Sequence, residues 1–231
     1  EPVQLPSPGA VGEAFVKGWS GIDALEFVGF QTGGIRDGLI YTTRNVLLGV
    51  GVGAVLGLLV GWVIGSSRTT AAVLGPPLVV LGATPVLVVL PFLLIWFGTN
   101  SLAQALLVVA FTLVTVAGVT QQAVVNVGEH YTNFASSLGA RRRYLLWHVT
   151  RPAVAPAAIG AIRVSVAMGW SFATVAELLG GQEGSGKIIL AMAQLQRTAD
   201  VIAVVLSVAA VAVVVDALIA ATGRSIVRWQ E

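Results

Sequence analysis

The sequence predicts an all-α, polytopic membrane protein with five membrane-crossing helices. Three observations carry that prediction. Of 231 residues, 56% are hydrophobic and only 10% charged, with a mean hydropathy of +0.87, whereas a soluble domain carries about 25% charged residues. The apolar residues gather into runs that reach the ~20 residues a helix needs to cross the hydrocarbon core. The cations also segregate. Arg68, Arg141, Arg142, Arg143, Arg151, Arg224 and Arg228 fall on one side of a five-span arrangement, against Glu129 and Glu231. The positive-inside rule makes that side cytoplasmic.

Taken in order, residues 1–38 form a polar external segment holding five acids against two bases, net −3. Pro6 and Pro8 precede a short amphipathic helix near Ala10–Gly18, with Trp19 suited to the membrane interface. The remainder, 39–231, opens with span one, about 39–65. Gly49, Gly53, Gly57, Gly61 and Gly65 recur there at steps of four. That is a small-residue face which lets a second helix approach closely, either within the chain or across a dimer. Span two, about 71–97, is interrupted by Pro76, Pro77, Pro85 and Pro91. Proline-broken membrane helices are tolerated where protein or a water-filled cavity satisfies the freed carbonyls, so Thr84 and Pro85, halfway along, are candidates for a substrate path as well as for a packing kink. Span three, about 102–125, carries Thr112 and Thr115, whose hydroxyls either bond back to their own helix or face a pathway. Span four, about 153–179, carries Trp170 and ends at Glu177 and Gly180. Residues 180–200 read as a glycine-rich turn and a short re-entrant or interfacial helix, and span five covers about 201–222. Gly-Gly-Gln-Glu-Gly-Ser-Gly-Lys at 180–187 is not a phosphate loop: Ile188, not Ser or Thr, follows the lysine, and a membrane helix, not a strand, precedes it.

Between spans three and four, residues 129–151 are the longest polar interruption and hold three consecutive arginines. Phe134 and Leu138 lie four apart, and the same spacing recurs beyond Gly139. Gly139 can take the left-handed conformation that ends a helix, and Pro152 stops the second limb or opens the next helix. The local reading is a helical elbow with one apolar and one basic face.

Here the sequence resembles a family. Ser-Leu-Gly-Ala-Arg at 137–141 and Arg-Pro-Ala-Val-Ala-Pro at 151–156 resemble the coupling loop of binding-protein-dependent ABC importer permeases. Gly139 and Pro152 stand at that family's separation, and Ala135 and Val149 match its pattern. Asn133, Phe134 and Arg151 replace its usual Glu, Ala and Leu. Leu-Pro-Ser-Pro at 5–8, Pro-Phe-Leu-Leu-Ile-Trp-Phe-Gly at 91–98 and Ala-Glu-Leu-Leu-Gly at 176–180 follow in the order of the nitrate, sulfonate and taurine branch.

The resemblance implies the membrane subunit of a type I ATP-driven importer for a small anionic solute. A sixth, N-terminal membrane helix is expected to precede this sequence. Two copies would form the pore and an external binding protein would deliver the solute. Two cytoplasmic ATPase subunits, holding the ATP and Mg, would receive the elbow through Asn133, Phe134, Ala135, Ser137, Leu138, Gly139, Ala140, Arg141, Arg142, Leu145 and Pro152. Glu177 and Gly180 would lie near the external gate. This chain itself has no Walker motif and would bind no cofactor.

Composition narrows the alternatives. There is no cysteine and there are two histidines, which removes disulfides, thiolate metal sites, cysteine nucleophiles and a histidine-rich metal site. A net charge of +2 gives no case for nucleic acid. A membrane enzyme lacks a signature. A secondary transporter or channel would show coupling acids deep in the spans, and Asp216 is the only candidate. Arg163 lies eleven residues after Pro152, ~16 Å from the cytoplasmic end, and Asp216 eight residues before Arg224, ~12 Å from the same side. Their similar depth predicts an intramembrane ion pair. Glu177 and Arg44 are each either water-contacting at the outer interface or exposed to a substrate cavity.

Overall fold

The computed structural model describes residues 6–22, 25, 33–137, 144 and 146–226; of 128–137, 146, 147, 225 and 226 only the backbone is described. Eight α-helices are present among them: α1 (Pro8–Gly18), α2 (Ile35–Gly65), α3 (Arg68–Ala83), α4 (Val86–Phe97), α5 (Ser101–Ser137), α6 (Arg151–Gly180), α7 (Ser185–Gln194) and α8 (Thr198–Ile226), with a π-turn at Leu146–Thr150 leading into α6. Four helices are long and apolar enough to cross a membrane, or five spans if α3 and α4 count as one broken span.

Each boundary has a local cause. Ser7 caps α1, its Oγ accepting the Ala10 N–H at 3.2 Å, and Pro8 opens the helix where its missing N–H costs nothing. Span two was expected as one interrupted stretch, and the chain instead breaks into α3 and α4 at Thr84. That residue is extended, φ −76° and ψ 124°, because the following Pro85 crowds a helical predecessor. The Thr84 hydroxyl then donates to the Val80 carbonyl at 2.9 Å. The first limb of the expected elbow is not a separate short helix: α5 runs on without a break to Ser137. Pro152 sits in the first turn of α6. Leu138, Gly139, Ala140, Arg141, Arg142 and Leu145 lie outside the described residues.

The helices contribute to two compact units. One comprises 1–48, 87–108 and 167–215. Its core joins Ile35 and Leu39 of α2 to Ile188, Ala191 and Met192 of α7 and to Ala203 and Val204 of α8, with Val11 and Ala14 of α1 packed on it. The spacing of Ile188, Ala191 and Met192 gives α7 one buried face.

The other unit comprises 49–86, 109–166 and 216–231. Here the α2 glycines meet α5. A methyl group at Gly57 would come within 2.8 Å of the Leu113 carbonyl oxygen, at Gly53 within 2.7 Å of Thr112 Cβ, and at Gly65 within 2.8 Å of Val124 Cβ. At Gly61 it would strike the Ala117 carbonyl. Of the two readings of that stripe, close packing within the chain is therefore the one realised at these positions. Ile64, Leu78 and Ala117 close one side of the contact, and Val124, Val127 and Val154 the other.

Candidate functional site

Two arrangements of polar side chains stand out from an otherwise apolar protein. In the second unit, Arg163 of α6 and Asp216 of α8 form a two-pronged pair. Arg163 Nε donates to Asp216 Oδ1 at 2.9 Å and Nη2 to Oδ2 at 2.8 Å. The fork geometry matches a carboxylate and makes such pairs stronger than a single hydrogen bond. The side chains remain 44% and 37% exposed.

In the first unit, Glu177 is completely buried, exposed neither to water at the outer interface nor to an open cavity, the two readings its position allowed. Its Oε2 accepts the Gly186 N–H at 2.8 Å and lies 2.9 Å from Thr42 Oγ1. Thr42 Oγ1 in turn accepts the Ser185 N–H at 3.0 Å. These bonds have one purpose that follows from helix chemistry. The first N–H groups of α7 have no partner within the helix, and its N-cap, Gly184, has no side chain to supply one. Glu177 and Thr42 therefore cap α7 from other elements, with the carboxyl at the positive end of the helix dipole.

The glycines of 181–186 make that insertion possible. Gly184 has φ +101°, a region that favours glycine, and a methyl there would collide with the Glu177 carboxyl, 2.5 Å from Oε2. A methyl at Gly181 would lie 2.7 Å from Glu177 Cα, and one at Gly186 2.8 Å from its Cβ. The glycine-rich run, rejected as a phosphate loop on its spacing, is a sleeve for a glutamate. Asn45 Nδ2 donates to Gln104 Oε1 at 3.0 Å nearby, and Gln104 Nε2 and Glu177 Oε1 are buried without a hydrogen-bond partner.

Sequence reasoning singled out Glu177 but missed Thr42, Ser185, Asn45 and Gln104. The available signal was the polar run Thr42-Thr43-Arg44-Asn45 at the head of an apolar span. The other candidates are dispersed. Thr84 and Pro85 are exposed at the α3–α4 break, and Thr115 is half-buried on α5. Thr112 is buried against Gly53, and Trp170 is buried with its indole N–H unpartnered. Gly180 admits Leu94, whose side chain would lie 2.7 Å from a methyl placed there. Arg44 lines an apolar groove with Trp19, Arg36, Leu39 and Leu47. Asn133, Phe134, Ala135 and Ser137 lie on the last turns of α5.

A bundle of apolar helices with a glycine-packed pair and a proline-broken span defines a multi-pass membrane protein. Residues 53–228 match the family described as "Binding-protein-dependent transport system inner membrane component", and the chain belongs to that family. Among its relatives, the taurine transport system permease protein of Escherichia coli K12 is 27% identical over 201 residues, 87% of this chain and 73% of that one. The putative aliphatic sulfonates transport permease protein of Bacillus subtilis 168 is 30% identical over 183 residues, 79% of this chain and 66% of that one. In fold, the chain is similar to a membrane chain of the inward-facing MetNI methionine ABC transporter, with a TM-score of 0.63 at 18% identity, covering 83% of this chain and 93% of that one. The chain is thus a multi-pass inner-membrane permease subunit of an ABC importer. ATP hydrolysis falls to partner subunits, and a binding protein delivers the solute.

Proposed function

We propose that this permease carries small sulfonate-type anions inward, and that two copies enclose the route. The observation that carries the solute class is its 27–30% identity, over most of its length, to permeases named for taurine and aliphatic sulfonates. On this reading two ATPase subunits, binding ATP and Mg, sit on the cytoplasmic side. They engage residues 129–151 around Gly139, with Asn133 to Ala135 and Ser137 to Arg142 forming the contact and Leu145 and Pro152 setting the second limb. Closure of the ATPases on ATP moves that segment. Because α5 is continuous from Ser101 to Ser137, a push on its last turns passes directly into a membrane helix. The experiment is uptake into proteoliposomes holding the permease, its ATPase and its binding protein. Taurine or an alkanesulfonate should accumulate only with ATP and binding protein. Uptake of neither, by a complex whose ATPase responds to the loaded binding protein with another solute, would overturn the solute class.

A further inference from the structure

We infer that Arg163, steadied by Asp216, lines the water-filled translocation route and makes direct contact with the negative group of the passing solute. The inference about the route rests on depth and exposure alone; the solute contact rests on the proposed anionic class.

The pair lies near the middle of two membrane helices. Arg163 is within three residues of the midpoint of α6 and Asp216 within four of that of α8. At 1.5 Å per residue these are offsets of roughly 4 and 6 Å, well inside the ~15 Å half-thickness of the hydrocarbon core. Yet the side chains are 44% and 37% exposed. Charged groups at that depth face a bundle interior or a water-filled cavity, because hydrocarbon gives them no partner. A guanidinium has five N–H donors in a fixed fork. The bonds to Asp216 come from Nε and Nη2, and the outer donors of the fork remain directed away from the carboxylate. In lipid or in a dry contact they would be desolvated without acceptors, which costs more than the pair returns. Water or an anion satisfies them.

There is also room. Gly160 lies one turn before Arg163, on the same helical face. It is exposed, and none of the described residues lies within 4 Å of where its side chain would project. The arrangement resembles a fixed anion contact in its economy: Asp216 orients the fork and balances its charge, so the site attracts an anion without trapping it. Arg163 is here a specificity-determining contact and Asp216 its positioning residue.

The absence of cysteine from the sequence makes the test direct. Gly160→Cys is introduced into the full complex in proteoliposomes. It is then treated with two membrane-impermeant thiosulfonate reagents of similar size, one ending in an ethanesulfonate and one in a trimethylammonium group. We expect both to react, the anionic one faster than their relative rates with a free thiol would give because the free donors of the fork favour an anion, and we expect Arg163→Gln to abolish that preference. If Arg163→Gln does not assemble, Arg163→Gln with Asp216→Asn makes the same comparison without an unpaired acid. Reaction only after unfolding in detergent would place the face in lipid or a dry contact and overturn the inference. So would a disulfide between two copies with no labelling, or a preference that survives removal of the guanidinium. Labelling does not depend on which solute is carried. A charge preference in a complex that fails to import taurine or alkanesulfonates would retire only the proposed solute.

Discussion

At the scale of single residues, Glu177 is the group whose removal should be felt most. Replacing it by alanine strips the Gly186 N–H of its acceptor, whereas the Thr42 hydroxyl still has the Gly38 carbonyl at 3.0 Å. An unsatisfied buried donor costs about 1–3 kcal/mol, so we expect Glu177→Ala to lower the midpoint of thermal unfolding in detergent. Glu177→Gln, which keeps an acceptor oxygen, should recover most of it. Equal midpoints for alanine and wild type would mean that the cap on α7 is not stabilising. The Arg163–Asp216 pair makes a different prediction. Each single neutral variant leaves one charge inside the membrane without its partner, while Arg163→Gln with Asp216→Asn leaves none. The double variant should therefore yield more folded protein than either single one, measured as monodisperse material after size exclusion. Additive losses would show that the two side chains act independently. That these residues could pair was legible in the sequence, because depth along a helix is arithmetic. That Glu177 is buried was not. Its partner Thr42 is 135 positions away, and only the fold brings an acid to a helix end that lacks its own cap.

Among the elements, α2 and α5 depend on backbone-to-backbone approach. We expect Gly57→Leu to be excluded by the Leu113 carbonyl and the Val116 Cβ, 2.8 and 2.9 Å from the first added carbon. Overpacking of this kind costs about 1–3 kcal/mol or more. Gly51→Leu, on the same helix with open space around it, is the control and should fold as wild type does. Equal losses would point to helix propensity or insertion, not to the contact. The glycine period predicts such a face, since a repeat of four is a property of the sequence alone. Which helix fills it is harder to read: the facing residues of α5, Thr112, Val116, Thr120 and Val124, also recur every four positions, but Val and Thr are too frequent in these spans to single one helix out. The break at Thr84 was half legible. Pro85 restricts its predecessor by local sterics, but Pro76, Pro77 and Pro91 look equally disruptive in sequence and lie inside continuous helices. Local rules place a proline's strain, and tertiary context decides whether the helix ends there.

For the whole molecule, the open question is how ATP hydrolysis in partner subunits drives this chain, and the three arginines at 141–143 are where it can be asked. They fit two physical roles. Against anionic lipid headgroups each would contribute about 1 kcal/mol near the surface, fixing the cytoplasmic side and nothing more. Against acids on an ATPase they would strengthen the assembly itself. The two roles separate in detergent, where the bilayer is gone. Exposed charge pairs are screened within ~8 Å at physiological ionic strength and within ~3 Å at 1 M. If the arginines hold the ATPase, raising salt should release it from the wild-type permease. Arg141→Ser with Arg142→Ser and Arg143→Ser should then bind more weakly at low salt and respond little to more. If they serve only the lipid, both proteins should retain the ATPase equally at every salt concentration, and the triple variant should instead insert with mixed orientation, read by protease access to the C-terminal tail. We expect the first pattern. The sequence at 137–141 sets Gly139 beside the apolar Leu138, and an apolar side chain gives a partner protein something to grip which a headgroup layer would not require.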